Sequence, residues 1–207
     1  MHSRTARPPA PDAQGAQSHQ DAAGLGVELA TVVAGARRRA VRDGDRQIDT
    51  AHLLHSLLEQ DPEVRSVVGG PPQLARLLGY LVQRSIGYGL RWQGSVEDSG
   101  AIPVVPRPAT GDAGDWSPAA AAALHRARER ARRSGGYAAD VPELFAALVA
   151  DPDCRAVEVL ERAGIDAHEL SGRISALITD RSAERAFGPG GTPIEDGLGE
   201  FAQGAAF

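Results

Sequence analysis

His52, His55 and Glu59 have the residue types and the spacing of a possible metal site. They stand at three- and four-residue steps, so on a helix their side chains share one side, and imidazole and carboxylate groups are zinc ligands. The alternative is structural, because His52 lies at a predicted helix start, where an imidazole satisfies backbone groups. We favour this alternative and predict no bound metal.

Cys154 is the single cysteine of the chain and lies between Asp153 and Arg155 at a predicted helix start. Such a position can lower the pKa of a thiol and make it reactive. Covalent catalysis also needs a base within hydrogen-bond reach, and the sequence positions no histidine with this thiol. We therefore predict no catalytic residue and no internal disulfide, which fits a reducing cytoplasm.

All 22 basic residues of the chain are arginine, so lysine is absent. A Walker-type phosphate-binding loop needs a lysine to reach the terminal phosphates, and a Schiff-base enzyme needs a lysine amine. The sequence therefore excludes both activities, and we predict a non-enzyme without a cofactor.

Two arginine-rich stretches raise the hypothesis of nucleic-acid binding. We interpret both as solvated helix faces, because Glu129 interrupts the second stretch, the net charge is -5 and aromatic residues make up only 4% of the chain. The residues of these stretches are Arg37, Arg38, Arg39 and Arg42, and then Arg126, Arg128, Arg130, Arg132 and Arg133.

The elements that must position these groups are predicted to be helices. The chain of 207 residues is 42% hydrophobic with few aromatic side chains, and its apolar residues are largely Ala, Leu and Val, which suit close helix packing. No apolar run has the length of a membrane span, and the N-terminus lacks the apolar segment of a signal peptide. We therefore predict an all-α, cytoplasmic protein.

Apolar residues at three- and four-residue steps predict a first helix that carries Leu29, Val33 and Ala40 and stops near Gly44. A second helix begins at Asp49 or Thr50, either of which can cap exposed amides. A third follows Pro62 and ends at Gly69, and a fourth carries leucines from 74 to 81.

The same order of features then returns, which indicates an internal repeat. Residues 36–57 align with residues 127–148 at a constant offset, and after one residue is dropped, 61–65 align with 151–155. We predict a flexible tail over 1–23, a double repeat over 24–180 and a flexible Gly-rich tail over 181–207. Within the double repeat, the first repeat covers about 25–87 and the second about 116–179. The linker over 88–115 is either a mobile loop or a segment that orders on the surface or on a partner.

These repeats resemble the N-terminal domain of Clp chaperones of the ClpA and ClpC type. The family pattern Ile-Gly-Thr-Glu-His-Ile-Leu-Leu-Gly-Leu is matched closely by the segment from Ile48 to Leu57 and more weakly by the segment from Ala139 to Leu148. The family's Phe-Thr-Pro opening of the second repeat is similar to Trp116-Ser117-Pro118. The resemblance implies a bundle of about eight helices in two four-helix repeats with pseudo-twofold symmetry, without the ATPase module of the chaperones.

The resemblance also implies binding sites. In some family members a Glu in each repeat holds phosphorylated arginine, but here those positions are Ala51 and Pro142, which puts such a pocket in doubt. The family's apolar groove between the first helices of the two repeats maps to Val33, Ala34, Trp116, Ala121, Leu124 and His125. Trp116 is either an exposed interface anchor or a residue that staples the chain to its own core.

The resemblance implies a protein-binding module that modulates Clp-dependent quality control or proteolysis. Its expected partners are Clp chaperone or protease components, adaptors or client proteins, and a small peptide-like ligand is a further option. The alternative is a protein that sequesters small molecules aimed at the chaperone domain, with nucleic-acid binding as a third and less favoured function.

Overall fold

The computed structural model describes residues 24–85, 97 and 116–187. Within each repeat these residues form helices joined by short turns, which confirms the predicted all-α class. The first repeat contains α1 (Val27–Asp43), α2 (Thr50–Gln60), α3 (Pro62–Val68) and α4 (Pro71–Ser85). The second contains α5 (Pro118–Arg133), α6 (Val141–Val149), α7 (Arg155–Arg162) and α8 (Ala167–Phe187).

The helix ends follow from local chemistry. Gly44 follows α1 with a positive φ of 72°, a backbone conformation that glycine adopts without steric cost. Asp49 precedes α2, and its carboxylate accepts a hydrogen bond from the amide of His52 at 3.0 Å. Asp61 does the same for α3 by accepting from the amides of Glu63 and Val64. The turn and proline signals in the sequence therefore mark the observed boundaries.

The two central helices, α2 and α6, are buried on nearly every side. α2 packs on α1 and α7, α6 packs on α5 and α8, and the two central helices also contact each other. Gly35 lies at the close approach of α1 to α2, where an added Cβ would lie 3.1 Å from Ser56 Oγ. The core therefore continues from one repeat into the other.

The repeats are joined by a reciprocal backbone contact that the sequence did not predict. Leu25, just before α1, pairs with Ala139 of the second repeat, and Trp116, just before α5, pairs with Ile48 of the first. The amide of Gly26 donates to Ala139 O at 2.7 Å, and the amide of Ser117 donates to Ile48 O at 2.9 Å. Each repeat thus holds the entry to the other's first helix, as pseudo-twofold symmetry requires.

The predicted C-terminal boundary of the double repeat needs correction. The last helix does not stop near residue 180 but continues to Phe187, and Arg181 on this extension forms ion pairs with Glu63 and Asp61. Glu97, which falls within the predicted linker, is buried with only 4% of its surface exposed. The predicted tails over 1–23 and 188–207 and the rest of the linker lie outside the described residues.

Candidate functional site

The residues mapped to the apolar groove divide into a buried set and an exposed set. Val33, Trp116 and Leu124 lie in the hydrophobic core, whereas Ala34 is half-buried and Ala121 and His125 are exposed. A partner that approached this region would therefore meet the exposed side chains first. The groove as a binding surface stays a prediction.

Trp116 is 8% exposed and belongs to the core. Its backbone pairs with Ile48, and the next residue, Ser117, caps α5 by accepting from the amide of Ala120 at 3.1 Å. This placement corresponds to the stapling role and not to an exposed interface anchor. The backbone pairing and the Ser117 cap position the start of α5 and, with it, the exposed residues of that helix.

Ala51 and Pro142, which stand where some relatives have a phosphoarginine-binding Glu, are both buried at the starts of the central helices. Neither side chain carries a carboxylate that could pair with a guanidinium. A phosphoarginine pocket at these positions therefore stays doubtful.

A buried polar cluster, formed by Asp49, Thr50, Glu97, Ser117 and Arg155, lies where the two repeats meet. Arg155 Nη1 donates to Asp49 Oδ2 at 2.6 Å, and the backbone amide of Arg155 donates to Glu97 Oε1 at 2.7 Å. The Ser117 hydroxyl donates to Glu97 Oε2, also at 2.7 Å. Three helix starts therefore converge on one polar centre.

Sequence reasoning missed this polar cluster because its contacts span long sequence separations. Thr50 is 47 positions from Glu97, and Asp49 is 106 positions from Arg155. Periodicity and capping patterns act over a few residues and carry no information at such distances. The one available signal was a lone Glu in a linker otherwise rich in Gly, Ser and Pro.

His52 has the structural role that the sequence favoured. Its Nδ1 accepts from the amide of Asp49 at 3.1 Å, which completes a reciprocal capping box at the start of α2. Its Nε2 lies 3.2 Å from Asp45 Oδ2 without the alignment of a hydrogen bond. The imidazole therefore stabilises the turn that leads into the helix.

Asp45, Asp49 and His52 nevertheless place possible metal-ligating atoms within 4.8 Å of one another. Both oxygens of Asp49 already accept hydrogen bonds, one from the His52 amide and one from Arg155. The group is thus accounted for as a capping and ion-pair network. It differs from the His52, His55 and Glu59 set considered from the sequence.

The His55 side chain contacts Arg39 and Glu59. Arg39 Nη1 lies 3.1 Å from His55 Nδ1, and Arg39 also forms an ion pair with Glu59. Burial, assisted by the positive charge of Arg39, lowers the pKa of His55 to about 4. Burial by itself would raise the pKa of Glu59, but the hydrogen bond and charge of Arg39 outweigh it, so that pKa is lowered.

Cys154 is fully buried, and its Sγ donates to Leu148 O at 3.4 Å. Burial raises the pKa of this thiol to about 11. The helix start does not activate Cys154, because loss of hydration outweighs the favourable helix end. A buried neutral thiol is unsuited to nucleophilic catalysis.

Several arginines of the two basic stretches are committed to contacts inside the molecule. Arg39 is buried on Glu59 and His55, Arg126 pairs with Asp151 at 3.3 Å, and Arg132 pairs with Glu129. These acids neutralise part of each stretch, which weakens the case for a phosphate-binding surface.

An open cleft of about 480 Å³ lies between α1, the start of α3 and α8. Its walls combine apolar and charged side chains, which include Val27, Glu28, Val32, Asp61, Glu63 and Arg181.

Across the described residues, no helix combines the length and apolarity needed to cross a bilayer.

Comparison with known proteins agrees with the resemblance seen in the sequence. The model of the Clp repeat N-terminal domain family matches residues 116–205. Chaperone protein ClpB of Rhodopseudomonas palustris is 28% identical over 153 residues, which are 73% of this chain but only 16% of ClpB. The chain therefore spans a small part of that relative.

Several solved structures share the fold. The N-terminal domain of ClpD from Arabidopsis thaliana superposes with a TM-score of 0.53 at 14% identity, over 75% of this chain and 95% of that domain. A chain from structural work on a malarial protein secretion system also gives a TM-score of 0.53, at 13% identity over 78% of this chain and 96% of that chain. At these identities the likeness defines the fold alone.

Proposed function

We propose that this chain, which carries the fold of Clp N-terminal domains and their Clp repeat over residues 116–205, is a non-catalytic protein-binding module of Clp systems. The observation that carries the proposal is this repeat match within an all-α double repeat. Its partners are Clp chaperone or protease components, their adaptors or their clients, and it modulates Clp-dependent quality control or proteolysis. We place it in the cytoplasm, in keeping with its single, unpaired cysteine.

The internal chemistry supports a binding role over a catalytic one. The single thiol is buried with a raised pKa, and the buried polar groups described above are engaged in capping and ion pairing. We infer that recognition uses the exposed residues of α5, the helix that begins two residues after Trp116. A protein partner would contact this helix through Ala121 and His125, over a rigid support supplied by the core.

The test is a binding assay with the immobilised full chain against purified Clp chaperone, adaptors and model clients, without nucleotide. The probe variant is Ala121→Arg, which places a long charged side chain on the exposed face of α5 without entering the core. Its matched control is Ala176→Arg, the same change at an exposed position of α8. Circular dichroism checks that both variants fold.

We expect saturable binding by the parent and the Ala176→Arg control, and at least about tenfold weaker binding by Ala121→Arg, equal to about 1.4 kcal/mol. If the parent binds none of the three partner classes saturably, the proposed function is contradicted. If the parent and both variants bind equally well, the chain is still a binding module, but the α5 surface is not its binding site.

Sequestration of a small, peptide-like molecule is a second candidate function, favoured by the cleft next to Arg181. Its volume of about 480 Å³ falls in the range of small-molecule sites. A compound that binds only the folded state raises the melting temperature. The expected result is a dose-dependent rise in melting temperature that Thr31→Trp, a change at an exposed position of the cleft wall, removes while protein binding persists.

A further inference from the structure

The carboxylate of Glu97 accepts four hydrogen bonds in the buried polar cluster. Oε2 accepts from the amide of Thr50 at 2.9 Å and from the Ser117 hydroxyl at 2.7 Å. Oε1 accepts from the amide of Arg155 at 2.7 Å and from the Thr50 hydroxyl. These donors lie at the starts of α2, α5 and α7, so that one side chain connects both repeats.

Two of these donors are amides that their own helices leave without an acceptor. Thr50 and Arg155 are the first residues of α2 and α7, and the first amides of a helix have no partner within it. The capping carboxylate of Asp49 bonds the His52 amide, and Cys154 gives α7 no side-chain cap. The positive ends of two helices therefore face the position of the Glu97 carboxylate.

The two hydroxyls are held with their protons directed at the same point. The Thr50 hydroxyl accepts from the amide of Ala156 at 3.0 Å, and the Ser117 hydroxyl accepts from the amide of Ala120 at 3.1 Å. Each hydroxyl can donate one hydrogen bond, and in both cases Glu97 is the acceptor. The space around the Glu97 carboxylate thus presents four hydrogen-bond donors, which suits a carboxylate because both of its oxygens accept. A neutral amide fits less well, because its NH2 group would point at other donors.

We propose that Thr50, Ser117 and the amide of Arg155 form a carboxylate-binding site, of which Glu97 is the built-in ligand. The class of ligand is a small carboxylate anion, because four donors converge on two oxygens in a buried space. The negative charge of the bound carboxylate is balanced by the positive ends of α2 and α7. The guanidinium of Arg155 does not supply this balance, because it is paired with Asp49.

The experiment removes the built-in ligand and supplies a free one. Glu97→Ala leaves four buried donors without an acceptor and opens space for formate or acetate. Thermal unfolding is measured for the full chain at neutral pH over a series of sodium formate and sodium acetate, with sodium chloride at equal ionic strength and acetamide as the neutral comparison. Glu161→Ala, a change at an exposed position of α7, is the matched control.

We expect Glu97→Ala to melt below the parent, and formate or acetate to raise its melting temperature saturably while chloride and acetamide do not. The parent and Glu161→Ala respond to carboxylates no more than to chloride, because Glu97 already fills their site. Carboxylate-independent melting of Glu97→Ala would overturn the proposal. If this variant is unfolded without added anion, formate-dependent recovery of helicity supports the site, and its absence, together with unchanged stability in Glu97→Gln, overturns it.

Discussion

Arg155 Nη1 lies 2.6 Å from Asp49 Oδ2, and this ion pair joins the start of α7 in the second repeat to the cap of α2 in the first. The side chains are only 11% and 1% exposed, respectively. Asp49 also forms the capping box with His52, so the same carboxylate ends a loop, starts a helix and contacts the other repeat. The relationship makes the packing of the repeats dependent on charge as well as on apolar contact.

Arg155→Ala should therefore destabilise the protein by about 3 kcal/mol, because it leaves the buried Asp49 carboxylate without its cation. Urea unfolding followed by circular dichroism measures the change. Arg162→Ala, which removes an exposed pair with Glu158, should cost no more than about 1 kcal/mol. Equal losses in the two variants would show that the buried pair has no special role.

Trp116→Ala should cost about 3–5 kcal/mol, since it empties a core position at the entry to α5. The counterpart before α1 is Leu25, which is only partly buried, so Leu25→Ala should cost less. Denaturant midpoints of the two variants give the comparison. A loss below about 1 kcal/mol for Trp116→Ala would contradict the stapling role.

Cys154 should resist alkylation in the folded protein. Its pKa of about 11 keeps the thiol protonated near neutral pH, and burial denies access to the reagent. Iodoacetamide labelling followed by mass spectrometry should show slow modification in buffer and complete single labelling in urea. Rapid labelling without denaturant would mean that this part of the core opens readily.

The stability of the protein should fall as the pH drops from about 6.5 towards about 4, the two pKa values of His55 in its unfolded and folded states. In that range the unfolded chain binds a proton that the folded His55 does not, so protonation favours unfolding. The groups that face this imidazole include Arg39, Arg42, Asp43 and Glu59. Urea unfolding at a series of pH values measures the trend.

His55→Gln should flatten this pH dependence, because glutamine keeps an acceptor for Arg39 but does not titrate. His125→Gln, at an exposed position, should leave the trend unchanged. A parent-like slope in His55→Gln would assign the pH dependence to other groups.

Most of the helices were predictable because helix formation is governed by short-range patterns. Asp49, Asp61 and Ser117 all cap the helices they precede, Gly44 ends α1, and Cys154, placed at a predicted helix start, directly precedes α7. The repeat was visible because the same caps and apolar steps recur in the same order. Sequence alone also determined the absence of lysine and hence of a Walker-type site.

Only the tertiary structure decided what the polar and nucleophilic residues do. A helix start favours a thiolate at Cys154, but burial by neighbouring helices reverses that preference. Glu97 shows no local pattern, yet donors from three helices converge on it. Burial and hydrogen bonding depend on tertiary contacts between segments that are distant in the sequence. A pattern that repeats every few residues does not specify those contacts.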